Sequence, residues 1–398
     1  MNRGIWHQLG AKSQILALEH LQKGMGVGVI ISEKDLKFSN AKDYAQRYRD
    51  LNAEILVDHQ FYNSNFRHPS FSTFPENSFR INPSSINRLS EKQLSDLSYA
   101  LEQTLRELSA TGVISPAIKY QAGRTEINET NLRLFTAARK VGNNLGIPTY
   151  ATVIIDQSST DSFNSVISIL SSATSLDCDG WYYGFEFGEK RIPASAEKVE
   201  MFCKAGLKLA ITGKPVLHAF AGPMSILSFA FGSTGVALGH SHNLWQFSSE
   251  RWQNMPPRKG PKKPLRRLFS RNLWGTIVYP NEVARLTKSL RQQVLSTSDY
   301  SPSFENLDIP WRKGDADKHL VSSICQEIGE IARLGSAAKC GVYAIGRLTN
   351  ANNFYVQIKS VIPNLRDNAN AYHSNWLTAL NNLKTQSKDD LDYFAAIS

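Results

Sequence analysis

The chain is poor in cysteine, has no long apolar run and has no acidic excess, and each shortage excludes something. Its 4 cysteines, at positions 178, 203, 325 and 340, stand far apart without a CxxC pair. That excludes a compact cysteine zinc site and the dense framework of a small disulfide-stapled domain. No uninterrupted apolar stretch reaches the ~18 residues of a membrane-spanning helix, so no membrane partner is expected. The opening stretch MNRGIWHQLGAKSQILALEHLQKG carries His, Gln, Lys and Glu through its apolar positions. It therefore lacks the core of a secretory leader, and a cytoplasmic location is expected. With 41% hydrophobic and 20% charged residues the composition is that of a folded globular protein.

What is abundant is positive charge. The 45 Lys and Arg outnumber the 35 Asp and Glu, giving a formal net charge of +10, which favours a polyanionic partner, DNA or RNA. The excess is densest in residues 251–271, RWQNMPPRKGPKKPLRRLFSR, which hold eight Lys or Arg and no acid. Proline and glycine make this an extended loop, and Arg258, Lys259, Lys262, Lys263, Arg266, Arg267 and Arg271 are its candidate nucleic-acid contacts. A plain solvated loop is the competing reading.

Periodicity gives the architecture. Short apolar runs at 26–32, 54–63, 113–120, 147–156, 178–187, 214–222 and 234–240 alternate with amphipathic stretches, a beat of roughly 30 residues that implies parallel strands with right-handed helical crossovers. We therefore expect the α/β class and a (β/α)8 TIM-like barrel over residues 1–290. A short helix at 10–23 would precede the first strand, and LWGTIVYP (273–280) would be the eighth. Residues 291–398 are expected to form a mainly helical C-terminal appendage, a possible docking surface for a protein partner, with GVYAIGRLTNANNFYVQIK as a strand or helix pair. Ser90 and Gln93 suggest a capping box opening the helix at 90–112. Residues 63–90, rich in Ser, Asn, Pro and Phe, read as an aromatic insertion over the barrel mouth, where Phe61, Tyr62, Phe66, Phe71, Phe74 and Phe79, near Arg67, His68 and Arg80, stack bases or simply pack.

Active sites of such barrels sit at the C-terminal strand ends. Those ends bear Asp58, His59 and Gln60; Lys119; Asp156; Tyr183, Gly184 and Glu186; His218 and Gly222; and His240 and His242. Two carboxylates and an imidazole suit general acid–base chemistry, so Asp58, Glu186 and His240 are the catalytic candidates. His59, Gln60, Lys119, Tyr183, Gly184, His218, Gly222 and His242 are the candidate substrate contacts. His and carboxylate also make metal ligands, but GHSH supplies only an HxH pair. No metal and no cofactor are assigned.

The segments ILVDHQF, CDGWYYGFEFGEK and HAFAGPMSILSFAFGSTGVALG resemble the tRNA-guanine transglycosylase family over about residues 50–245. The resemblance implies a base-binding barrel in which Asp58 engages the base and Gly184 to Glu186 line its pocket. It departs from the family at two places. Gly239 and His240 stand where that family carries its nucleophilic aspartate, and its three-cysteine, one-histidine zinc site has no counterpart downstream. Covalent glycosyl exchange needs that carboxylate. The expectation is a nucleic-acid-associated barrel that acts on or recognises a nucleobase. The alternatives are a non-catalytic barrel subunit binding nucleic acid or a protein, and a metal-dependent hydrolase of a small substrate.

Overall fold

The computed structural model describes residues 1–10, 13–33, 36–63, 73–79, 89–188, 195–240, 244–249, 266–295, 297–307, 312–366, 369–386 and 389. Strands and helices alternate from the start: β1 (Gly4–Gln8), α1 (Gln14–Gln22), β2 (Gly28–Ser32), α2 (Phe38–Arg49), β3 (Glu54–Asp58), α3 (Glu91–Glu107), β4 (Val113–Ile114) and α4 (Thr125–Leu145). The second half repeats the pattern with β5 (Thr149–Ile155), α5 (Phe163–Ala173), β6 (Gly180–Phe185), α6 (Ala196–Ala210), β7 (Val216–His218), α7 (Ser225–Ala230) and β8 (Gly235–Gly239).

These form one 8-stranded sheet in the order β3-β2-β1-β8-β7-β6-β5-β4. Every pairing in it is parallel. The first and last strands meet in register, Gly4 opposite Gly235 through Gln8 opposite Gly239. The junction left between β3 and β4 is closed by Thr111, whose N–H donates to the Ile55 carbonyl at 2.8 Å and whose hydroxyl accepts from the Ile55 N–H at 2.9 Å. This is the expected (β/α)8 barrel.

Two boundaries differ from the sequence reading. The first strand is Gly4–Gln8, so the helix at 14–22 follows it and VALG lies on strand eight rather than seven. Only Ile5 and Trp6 are strongly apolar there, and the buried polar His7 and Gln8 hide the strand from a hydrophobic pattern. LWGTIVYP is not the eighth barrel strand. Its residues belong to an antiparallel hairpin outside the barrel, β9 (Arg267–Ser270) with β10 (Gly275–Val278), because β8 already pairs with β1 and leaves no slot.

Side chains alternate across the wall, as the two-residue strand period requires. Trp6, Ile30, Leu56, Ile114, Tyr150, Ile154, Tyr182, Leu217 and Ala237 fill the interior. Val29, Ile31, Ile55 and Val57 face the helices on one side of the ring, and Val153, Ile155, Val216 and Val236 do so on the other. Gly28 is needed for the Trp6 ring, which a Cβ at that position would meet at 2.8 Å. The capping box forms: Ser90 Oγ accepts from the Gln93 N–H at 3.2 Å and Gln93 Oε1 from the Ser90 N–H at 2.8 Å.

Beyond the hairpin lie α8 (Lys288–Leu295), α9 (Pro302–Glu305), α10 (Lys313–Ala332), α11 (Ala337–Val361) and α12 (Ala369–Gln386). The segment GVYAIGRLTNANNFYVQIK is thus one continuous helix, part of α11. Helices α11 and α12 cover α7 and α6, and one hydrophobic cluster runs from Trp181 and Phe202 to Trp274, Leu348 and Trp376. The appendage therefore shares its core with the barrel's outer layer. Among the described residues no helix is long and apolar enough to cross a membrane.

A candidate active site at the barrel mouth

Strand β3 ends Leu56-Val57-Asp58, and alternation carries Leu56 and Asp58 to the inside. Asp58 is 1% exposed. Its Oδ2 accepts from the Tyr62 hydroxyl at 2.6 Å and from the Tyr182 hydroxyl at 3.0 Å, while Oδ1 accepts from the Gln60 N–H at 3.1 Å. Burial raises the Asp58 carboxyl above its ordinary value, and these three hydrogen bonds only partly offset that cost. The Tyr182 hydroxyl also lies 3.2 Å from Gln8 Oε1, and the Gln60 amide donates to Ser32 Oγ at 2.7 Å. Gln8 Nε2 is buried and has no hydrogen-bond partner among the described residues. The ends of β1, β2, β3 and β6 thus converge on one buried carboxyl group whose pKa is raised above its ordinary value.

Above it lies an aromatic cover. Tyr62 meets Phe247 edge-on at 5.1 Å and Phe220 lies 5.7 Å from the same ring. Leu244 joins them in the interior cluster. Segment 244–249 is pinned across the mouth by a bridge between Glu186 and Phe247, by the Ser249 N–H donating to Glu186 Oε1 at 2.6 Å, and by Lys119 Nζ 2.7 Å from Ser249 Oγ.

Lys119 is the centre of a second constellation. Its ammonium lies 2.6 Å from Asp156 Oδ2 and 2.6 Å from Glu186 Oε2, joining the ends of β5 and β6 to the segment after β4. Burial alone would lower its pKa, but the hydrogen bonds it donates to both carboxylates raise it, and Lys119 in turn holds Asp156 below its ordinary value despite burial. The ammonium sits where a cation bridging the two carboxylates would otherwise be needed.

Not every strand-end residue reaches the mouth. Tyr183 points outward, donating to the Phe202 carbonyl at 2.8 Å and stacking on the Phe202 ring at 5.2 Å. His218 also points outward, onto Ser228 Oγ and 4.7 Å from Phe202, and burial drives its pKa down to about 3. Both follow from parity: Tyr182 and Leu217 occupy the inward positions. His240 leaves the mouth as well, its Nε2 lying 3.1 Å from Nδ1 of His7 on the outer wall. Gly184 faces the interior, where a Cβ would lie 3.1 Å from Ile154. Gly222 instead seats Trp245, which a Cβ would meet at 2.5 Å. Gln60 belongs to the Asp58 network, whereas His59 turns away into a buried trio with Glu33 and Glu76.

His242, Arg258, Lys259, Lys262 and Lys263 fall outside the described residues. Arg266 is exposed and Arg267 opens the hairpin. Arg271 is no candidate phosphate contact: it lies 2.7 Å from Glu327 and 2.6 Å from Glu330, and these partners raise its pKa against the cost of burial. Sequence reasoning does not single out Gln8, Ser32 or Tyr182, and it gives Tyr62 only as an aromatic beside the insertion and Asp156 only as a strand end. Asp156 ends an apolar run and was visible as such; Tyr182 was missed by one residue of parity; Gln8 required recognising β1.

Among the described residues two sets of donor atoms lie within 4.8 Å of one another, Glu33 with His59 and Glu76, and His7 with His20 and His240. In the first, His59 Nδ1 is 2.6 Å from Glu33 and 2.7 Å from Glu76, and Glu76 also accepts from the Thr104 hydroxyl. Burial would strip the His59 proton, but hydrogen bonds to the two carboxylates lift its pKa to about 10, so a buried imidazolium stands between the two acids. In the second, burial drives His7 to about 3, and it lowers His20 and His240 as well, so all three are neutral.

No protein-family model and no curated protein sequence matches the chain. Solved structures do. A glycerol uptake operon antiterminator-related protein from Thermotoga maritima is 13% identical, covering 62% of this chain and 99% of that one with a TM-score of 0.31. Thiamine phosphate pyrophosphorylase from Pyrococcus furiosus is 10% identical over 63% of this chain and 91% of that one, TM-score 0.32. A 2,3-dimethylmalate lyase of the PEP mutase/isocitrate lyase superfamily is 11% identical over 60% and 75%, TM-score 0.38.

Proposed function

We propose that this barrel is an enzyme of N-glycosidic chemistry that takes a nucleobase at its mouth, with Asp58 protonating or deprotonating the base. One observation carries the reading: Asp58 is fully buried at the mouth with its pKa raised, and the Gln8 amide, whose Oε1 accepts from the same Tyr182 hydroxyl, has an Nε2 with no hydrogen-bond partner among the described residues. A carboxyl group beside an amide N–H complements the ring N–H and carbonyl edge of a base. Tyr62 and Phe247 offer aromatic faces to stack on it. The resemblance to tRNA-guanine transglycosylases supports the same assignment, with Asp58 engaging the base and Gly184 to Glu186 forming its wall. Glu186 then acts through Lys119 and Ser249 to hold segment 244–249, which must move aside for a base to enter. Because no carboxylate stands at Gly239 or His240, exchange through a covalent intermediate on strand eight is not part of this proposal.

The test is incubation of the purified protein with tRNA and with DNA, measuring release of free bases and uptake of labelled purines and pyrimidines. Asp58→Asn is expected to lower either rate by at least ~100-fold, the usual scale for an acid–base group. Unchanged turnover in that variant overturns the assignment. The reading as a non-catalytic nucleic-acid binder is favoured by the basic stretch. Neutralising Arg258, Lys259, Lys262, Lys263, Arg266 and Arg267 separates the two, since a binder loses salt-dependent affinity there and tolerates Asp58→Asn.

A further inference from the structure

We propose that His7, His20 and His240 bind one divalent transition-metal ion of the zinc class, tying the first strand, the first helix and the end of the last strand together where the barrel closes. The site lies behind the wall, away from the Asp58 mouth. His7 faces outward from β1, since Trp6 and Gln8 occupy the inward positions. His20 comes from the last turn of α1 and His240 directly follows β8. All three are buried, at 0%, 0% and 3% exposure.

The chemistry of the donors selects a metal over a packing role. His7 Nε2 lies 2.6 Å from the Met25 carbonyl, which can only accept, so Nε2 carries the proton and Nδ1 presents a lone pair. An imidazole anchored through one nitrogen to a backbone carbonyl and bare at the other has the outer-shell arrangement of a metal-ligating histidine. His240 Nε2 lies 3.1 Å from that lone pair. Tetrahedral coordination at ~2.0–2.1 Å separates donor nitrogens by about 3.4 Å, close to this spacing. His20 Nδ1 and Nε2 and His240 Nδ1 have no hydrogen-bond partner among the described residues, although the carbonyls of Leu16 and Lys318 lie near the His20 ring. Buried imidazole nitrogens left without partners are costly, and coordination removes that cost. A shift of the His240 proton from Nε2 to Nδ1 frees its donor without releasing a proton. Neutral imidazoles suit zinc, copper, nickel or iron rather than magnesium or calcium, which take oxygen ligands. Outside the trio, the nearest acid to the His20 ring, Glu19, is paired with Lys318 at 2.6 Å.

The experiment uses the full chain, stripped with chelator and titrated with Zn2+ alone and with Co2+ as a spectroscopic probe. Expected are about one equivalent bound per chain, a rise in Tm with Zn2+, and X-ray absorption of the Co2+ form fitted by three imidazoles in a tetrahedral shell. His20→Gln should weaken Zn2+ binding by ~100-fold or more and abolish the Tm rise. Binding of less than a tenth of an equivalent, a shell with one imidazole or carboxylate oxygens, or unchanged Zn2+ affinity in a folded His20→Gln protein overturns the proposal. If that variant does not fold, the imidazole count of the wild-type Co2+ form decides alone. A shell of two carboxylates and one imidazole would place the metal at Glu33, His59 and Glu76 instead.

Discussion

Two trios of buried side chains flank the barrel wall, and they hold histidine in opposite states. Around His59, two carboxylates at 2.6 and 2.7 Å keep the imidazole protonated with a pKa of about 10. Around His7 the neighbours are two more histidines, and its pKa is driven to about 3. Burial is equally complete in both places, so partners decide the charge. The first trio is an internal ion cluster built on one imidazolium between two carboxylates; the second is a set of neutral donors open to a cation. Neither faces the mouth, where burial raises the Asp58 carboxyl above its ordinary value.

The sharpest way to break the comparison is to remove the imidazolium from the first trio. His59→Leu leaves Glu33 and Glu76 buried without the charge between them, and stranding buried charge costs ~3–5 kcal/mol. Denaturant midpoints should register this. A loss below about 1 kcal/mol would mean that Glu33 and Glu76 are neutral in the folded protein.

The second test is pH. His59 is raised from 6.5 to about 10, so its contribution is fully present below about 6.5 and is lost as the pH climbs toward 10. Glu76 is held below 4.5 by the same histidine, burial notwithstanding, so its contribution is present above 4.5 and is lost as the pH falls through its lowered pKa. The trio should stabilise most between about 4.5 and 6.5, and the alkaline slope should flatten in His59→Gln. A slope that survives that substitution assigns it to other groups.

How legible these places were follows from the side of the wall. Strands β2 to β8 and the helices between them follow from apolar periodicity, because most barrel strands are short runs of β-branched and aromatic residues buried on both faces. The mouth was partly legible: Asp58, Gln60, Lys119 and Glu186 end apolar runs, and the structure brings Asp58 to Gln60 and Lys119 to Glu186. What failed was parity. An address at a strand end does not say whether a side chain points in or out, and Tyr183, His218 and His240 all face helices. The His7 trio was invisible for a different reason: its members come from positions 7, 20 and 240, and the first belongs to a strand too polar to be seen.

The smallest expected effect sharpens the contrast most. In chelator-stripped protein His20→Leu removes a neutral ring whose two nitrogens lack partners among the described residues. No charge is stranded, and an apolar side chain of similar volume takes its place, so the cost should stay below about 1.5 kcal/mol. The same substitution in zinc-saturated protein should lose, in addition, the binding free energy that the metal adds, RT ln(1 + [Zn]/Kd). The difference between the two measurements, rather than either alone, separates a metal site from a histidine core. If the stripped protein is already destabilised as much as His59→Leu, the rings are an essential part of the packed wall, and the two trios differ in charge but not in kind.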